Sequence, residues 1–585
     1  MATNQIGLLL PASELFPGID CSAGTLKTVL NDLSLTDTLF WCARLNLVVC
    51  DPDVDHLTKQ QFGLNQFLTT EDISRVNEFA RRHGGAEQVT VFFRGQLLEL
   101  VRWVALYCTD HSNDGTTFED PSVRRKFAQA ALMAGELWST RIFGDRFSAE
   151  AELGVARQRS LGAIRKGVEG TLQAPDLAKS LGRGWTFFSD YVPRYNRSFN
   201  SDFQAATGFS VEDYFICLGA MITSYIDPKL GTGLFDANTF ARSTAYAETL
   251  NRFIERESQT AYEVKMALWG SGVGSNTTLA IPDYDYRALR EKPILRSADG
   301  RAIILDPVFF SEKASIGPVF LLPREQRQQA LSDLGKAFEA YSGDMLGRMF
   351  PDIVESPDKR FRCNILGTDI EGTDFEIDAC LNDRLELVLF EIKTGLIRED
   401  SILGENHESL LTQLRLKYVW NEDEKAVGVG QLARVISILA ARKWVGSSHE
   451  FSNVQLVYPV LLVHDPLLAA PVYGHFLAEE FKEVLAPEKE LPSGEFRKAH
   501  LRVAPLIIMT VDDLENLETS IEHFGFRDLL SAYSEGCPDR LMSLQHFMIT
   551  STFKDHIFQN RSIAAAGLNI LEKVKEKVFA KVMSN

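Results

Sequence analysis

The spacing of apolar residues changes part-way along this chain, and the change limits the folds open to it. Up to about residue 269, apolar residues recur every three or four positions, as in "GQLLELVRWVALYC" and "VEDYFICLGAMITSYI". That is the period of one face of a helix. From "KPILRSADGRAIILDPVFF" onward, short apolar runs bounded by turn residues take over, the pattern of strands. The sequence therefore predicts a mainly α-helical N-terminal region, 1–269, followed by an α/β region. At 585 residues the chain exceeds one ordinary core, and roughly two to four domains are expected.

The stretch "WGSGVGSNTTL" (269–279) reads as a flexible joint. Its glycines resemble a phosphate loop, but the lysine of that motif is absent. The span 270–325 is thus a linker plus a β-hairpin turning at "SADG". The next span, 326–470, opens on "REQRQQALSDLGKAFEAYSGDMLGRMF". This reads as a long amphipathic helix with Leu331, Leu334, Phe338 and Tyr341 on its buried face. Three strands are predicted next, "FRCNILG", "TDFEIDACL" and "LELVLFEIKTG", then the helix "GQLARVISILAARKW" and the strand "VQLVYPVLLVH". A C-terminal extension, 471–585, adds one more strand and helix and ends in an amphipathic helix.

Side chains alternate between the faces of a strand. In "LELVLFEIK", Val388, Phe390 and Ile392 share one face, and Glu391 and Lys393 the other. In "DFEIDACL", Asp378 lies on the face opposite Phe375 and Ile377. Two adjacent strands can then bring Asp378, Glu391 and Lys393 together. Carboxylates are hard oxygen ligands suited to Mg²⁺ or Mn²⁺, and a lysine beside them can orient a water or stabilise developing negative charge. The plain alternative is an exposed Glu–Lys pair worth about 0–1 kcal/mol. Three features favour the site. The pair ends a strongly apolar strand, an acid stands thirteen positions upstream, and a helix-borne acid precedes both.

On the residues "EID…FEIK" the chain resembles the PD-(D/E)xK nuclease superfamily, with its restriction-endonuclease-like α/β core of a mixed sheet flanked by helices. The resemblance covers about 326–465. It implies that Asp378 and Glu391 bind metal and that Lys393 completes the (D/E)xK. It assigns Glu339, in "LGKAFEAY", to the acid of the first core helix. Gln431, in "GVGQLARV", matches a glutamine many members carry early in the next helix; an ordinary surface amide is the equal alternative. The literal Pro-Asp is replaced by "GTDFEID", which leaves Asp374 as a rival to Asp378, and strand parity favours Asp378. The resemblance further implies a metal-dependent endonuclease acting on nucleic acid, DNA before RNA, and by analogy a prokaryotic defence role. A non-catalytic scaffold that keeps the nuclease fold is the alternative from another class.

Composition bears on partners. The net charge of −18 opposes free binding to a polyanion, so a local basic surface, a protein partner or a homo-oligomer is expected to assist. The basic candidate is 151–200, with eight Lys/Arg against four Asp/Glu. There Arg183, Trp185, Arg194 and Arg197 combine charge with aromatic rings on which bases can stack; a helical core with a basic rim is the competing reading. Eight scattered cysteines without a CxxC pair argue against a zinc ribbon or a disulfide framework. No run of about 18 apolar residues occurs and no convincing signal peptide opens the chain. The expectation is a cytoplasmic protein with no membrane partner and no catalytic cluster in 1–269.

Overall fold

The computed structural model describes residues 8–52, 54–109, 120–139, 176–226, 234–236, 246–270, 286–351, 360–395, 407–445, 451–491, 494–537, 542–558 and 560–578. The chain forms two units. One comprises 1–186, 200–323 and 565–585; the other comprises 187–199 and 324–564. The architecture is mixed α/β, with a large helical N-terminal region. Among the described residues no single helix is long and apolar enough to cross a membrane.

The first unit is built mainly from helices, among them Leu35–Cys50, Arg94–Tyr107 and Pro121–Ser139. Local signals start them. Ser34 accepts from the backbone N of Asp37, and Thr69 and Asp72 form a reciprocal capping box, satisfying amides that no helical carbonyl reaches. The predicted hairpin is present as Ile294–Arg296 and Arg301–Ile304. It does not belong to a separate linker: it forms the middle of a four-stranded sheet with Leu234–Asp236 and Ser258–Thr260. Most of the predicted joint, 271–279, lies outside the described residues.

In the second unit, helix α1 (Arg324–Met349) buries Leu334, Ala337, Phe338, Tyr341 and Met345 at the predicted spacing; Leu331 is only half-buried. Strands β1 (Phe361–Asp369), β2 (Asp374–Asp383) and β3 (Glu386–Lys393) form an antiparallel meander. Where only a looped insertion was expected, helix His407–Tyr418 follows β3; helix α2 (Val429–Ala440) and a short edge strand, Trp444–Val445, antiparallel to β1, then lead to β4 (Leu456–Val463), which pairs parallel with β3 over its whole length. The all-apolar runs of β3 and β4 suit central strands covered on both faces.

Beyond residue 470 the same sheet continues. Strands β5 (Leu501–Val503) and β6 (Ile507–Thr510) both lie parallel to β4. Pro459 sits inside β4 although proline disfavours central strands. It falls where the partner on that side changes, from β5 at Leu456–Val457 to β6 at Val460–Val463. The C-terminal region is therefore no independent extension: 471–564 completes the second unit, and 565–578 joins the first. Chain order alone could not show this, because sheet pairing and helix docking are long-range.

Candidate active site

Asp378 occupies an irregularity in β2. The pairing of β2 with β3 ends at Ala379 and Phe390. On the other side, the ladder with β1 skips from Cys363–Ala379 to Ile365–Ile377. The residue between, Asn364, takes a left-handed φ of 51°, which asparagine tolerates better than most residues. Into this gap the Asp378 carboxylate turns toward β3, and its Oδ2 accepts from the backbone N of Ile392 at 2.7 Å. Asp374 lies elsewhere, exposed at the start of β2, and accepts from Thr368.

Glu391 and Lys393 project from β3 to the same place. The Lys393 Nζ lies 2.7 Å from Glu391 Oε1 and 3.6 Å from Asp378 Oδ2. Glu391 is 1 % exposed, and its Oε1 also accepts from the backbone N of Gly428 at 3.3 Å. Gly428 caps α2 with a φ of 56°. A Cβ there would stand 2.7 Å from the Tyr418 carbonyl oxygen, so only glycine brings this N–H to Glu391 without strain. Among the described residues, Asp378 Oδ1 and Glu391 Oε2 receive no hydrogen bond.

Glu339 joins the group electrostatically from α1. Burial, then the neighbouring Asp378 carboxylate, push its pKa up to about 7 against the pull of Lys393. Burial also pushes Glu391 up to about 8, opposed by Lys393 and assisted by Asp378. Lys393 is itself partly desolvated, but Glu391 and Asp378 outweigh that and hold its amine above the usual lysine range. Lys393 thus contacts two carboxylates, Glu391 and Asp378, and feels a third, Glu339, electrostatically. Glu339 and Asp378 open onto a cavity of about 1150 Å³ between α1 and β1.

Among the described residues no three His, Cys, Asp or Glu side chains form a ready-made metal cage; the Lys393 ammonium fills the space between Asp378 and Glu391. The donor set nonetheless suits Mg²⁺ or Mn²⁺. It consists of hard oxygens, Asp378 and Glu391 each keep one oxygen without a hydrogen bond among the described residues, and three carboxyl groups stand near one ammonium, which a divalent cation would favour in their ionised form.

Of the other predicted residues, Arg194 lines the same cavity as Glu339 and Asp378. Gln431 donates through Nε2 to the backbone carbonyl of Glu376 at 2.8 Å, which ties α2 to β2. The basic–aromatic stretch is divided. Arg183 is buried within helix Leu177–Thr186 of the first unit, and Trp185 carries Lys573 over its ring and packs edge-on to Phe215. Arg194 and the exposed Arg197 belong to the second unit. Arg183 and Trp185 thus belong to the first unit and Arg194 and Arg197 to the second, and the burial of Arg183 fits a helical core with a basic rim. Residues 151–175 lie outside the described residues. Reasoning from sequence also missed Gly428, for which the G-x-G before α2 was the available signal, and Lys336, one turn before Glu339.

Comparison with protein-family models, with curated proteins and with solved structures finds no match.

Proposed function

We propose that this chain is a metal-dependent phosphodiesterase of nucleic acid, DNA before RNA, with a restriction-endonuclease-like core in its second unit. One observation carries the reading: the Lys393 amine lies 2.7 Å from Glu391 and 3.6 Å from Asp378 at an irregular point of a buried sheet. The order helix, three-stranded antiparallel meander, then helices leading to a strand parallel to the third supports the same reading, with one more helix, His407–Tyr418, and a short edge strand, Trp444–Val445, than the expected order. Asp378, Glu391 and Glu339 would hold Mg²⁺ or Mn²⁺. When bound, such an ion polarises a phosphoryl oxygen and acidifies a water. Lys393 stays cationic, so it donates hydrogen bonds toward the attacking water or the charge developing on phosphate. Gly428 fixes Glu391, and the Ile392 amide fixes Asp378. A cytoplasmic setting, assistance by a protein partner or second copy, and a defence role accompany this proposal.

The test incubates excess wild-type and Lys393→Ala protein with plasmid, linear DNA and RNA in Mg²⁺, Mn²⁺ or EDTA. Cleavage is expected with metal and not with EDTA, and the variant should lose on the order of 10²–10³ in rate, the scale of one electrostatic donor. Equal cleavage by both proteins would remove Lys393 from the chemistry. Wild-type protein inert on all three substrates and on single-stranded DNA would leave a non-catalytic scaffold.

A further inference from the structure

The 187–199 segment follows the first unit's helix Leu177–Thr186 in sequence but folds into the second unit. Its anchors are aromatic and polar. Phe187 lies 4.6 Å and Tyr191 5.4 Å from the Tyr341 ring. Tyr191 donates to Asp344 at 3.0 Å, and Asn196 to Asp333 at 3.1 Å. These contacts clamp the segment along α1 and place Arg194 and Tyr195 in the wall of the cavity that Glu339 and Asp378 close at one end.

The remaining walls have a distinct chemistry. On α1 the cavity face runs through Lys336, Glu339, Gly343 and Gly347, one residue per turn, and the two glycines leave room along it. Lys336 has no hydrogen bond or ion pair among the described residues. Arg194 stacks over Tyr191 at 4.1 Å and pairs with Asp344 at 3.3 Å, with half its side chain exposed. Tyr195 is 44 % exposed, a large ring left uncovered at the cavity.

Resting on the nuclease reading of the carboxylate cluster, we infer that this cavity is the groove for an unpaired nucleic-acid strand, with a base stacked on Tyr195 and backbone phosphate held by Lys336 and Arg194. Charge decides against a duplex. Four cationic side chains line the cavity against three carboxylates, and Arg348 is further engaged by Glu518 at 2.5 Å. Duplex affinity comes largely from phosphate neutralisation, and a local excess of one in a protein of net charge −18 supplies little of it. A duplex also turns its bases inward and offers Tyr195 nothing to stack on. An unpaired strand exposes base faces, and stacking on aromatic rings adds affinity that is independent of phosphate count. The volume, about 1150 Å³, exceeds the roughly 300–1,000 Å³ of small-molecule pockets, which suits a polymer segment.

The test measures fluorescence anisotropy of labelled dT20, rU20 and a 20-base-pair duplex with full-length protein in EDTA, where no cleavage is needed. At least one unpaired strand should bind ten-fold or more tighter than the duplex, and the two homopolymers separate DNA from RNA. Tyr195→Ala should weaken that binding roughly ten-fold and Tyr195→Trp should retain it. Lys336→Ala should reduce the log–log salt slope by about 0.7, one phosphate contact on a single strand. Duplex binding as tight as single-strand binding, no binding of any probe, or wild-type affinity in Tyr195→Ala would overturn the inference. Strand binding without cleavage in Mg²⁺ would sink the nuclease reading and leave the groove standing; metal-dependent cleavage with unchanged Tyr195→Ala affinity would do the reverse.

Discussion

Each unit buries charge, and the two do it differently. In the first, Asp306 caps helix Pro307–Ser315 and is saturated. Its Oδ1 accepts from the Phe309 amide and from Arg94, and its Oδ2 from Arg94 Nε at 2.6 Å and Asn46 at 2.9 Å. Arg94 in turn lies over the Phe309 ring. In the second, Asp378 and Glu391 share Lys393 beside a third carboxyl, Glu339, and among the described residues Asp378 Oδ1 and Glu391 Oε2 receive no hydrogen bond. A closed pair fixes structure. An over-acidic cluster keeps unspent affinity for a cation, and perturbed carboxylates of this kind mark functional sites.

The largest effect should come from the closed pair. Arg94→Ala leaves Asp306 buried without its counter-ion and should cost about 3–5 kcal/mol, read from urea unfolding. By contrast Asp378→Asn removes one charge from a crowded set and should leave stability unchanged or raised. Equal losses in the two variants would erase the distinction drawn here.

Metal should sharpen the contrast next. Saturating Mg²⁺ or Mn²⁺ stabilises a folded site by about 2.7 kcal/mol at a hundred times its Kd. The wild-type melting temperature should rise with either ion, and Asp378→Asn should not follow. A rise of equal size in that variant would place the ion elsewhere.

The third effect is on pH. Glu339 titrates near 7 when folded, raised by burial and Asp378, against an ordinary 4.5. Between those values the folded chain holds a proton that the unfolded chain has released. Stability therefore falls as pH rises from about 4.5 to 7. Glu339→Gln should flatten that decline in melting curves taken across the window, and a decline of wild-type steepness would clear Glu339 of responsibility.

The second unit's half of this contrast was largely legible in the sequence. Strand parity placed Glu391 and Lys393 on one face, and it preferred Asp378 over Asp374 because a pleat alternates with period two. Helix α1 was visible from Leu334, Phe338 and Tyr341 at helical spacing. Other features carry no such period. Nothing in "KAVGVGQ" states that the Gly428 amide meets Glu391 thirty-seven positions earlier. The Phe187 and Tyr191 rings read as part of a basic–aromatic run because their partner, Tyr341, is about 150 residues away. Buried Arg183 looked like surface charge, since a sequence does not reveal which arginine the fold encloses.

The placement of the 187–199 segment has a consequence for synthesis on the ribosome. It emerges long before the helix it clamps, and residues 200–323 must be made in between. At about 5–20 residues per second its rings Phe187 and Tyr191 wait on the order of 8–30 s for Phe338 and Tyr341. The first unit waits longer still, because its residues 565–578 are translated after the whole of 324–564. Neither unit corresponds to a contiguous stretch of message, so a nascent chain cannot finish one before starting the other. The cavity beside Glu339 and Asp378 takes its wall from one end of this interval and its floor from the other. A prematurely terminated product would lack the sheet, and a fragment starting after residue 199 would lack Arg194 and Tyr195.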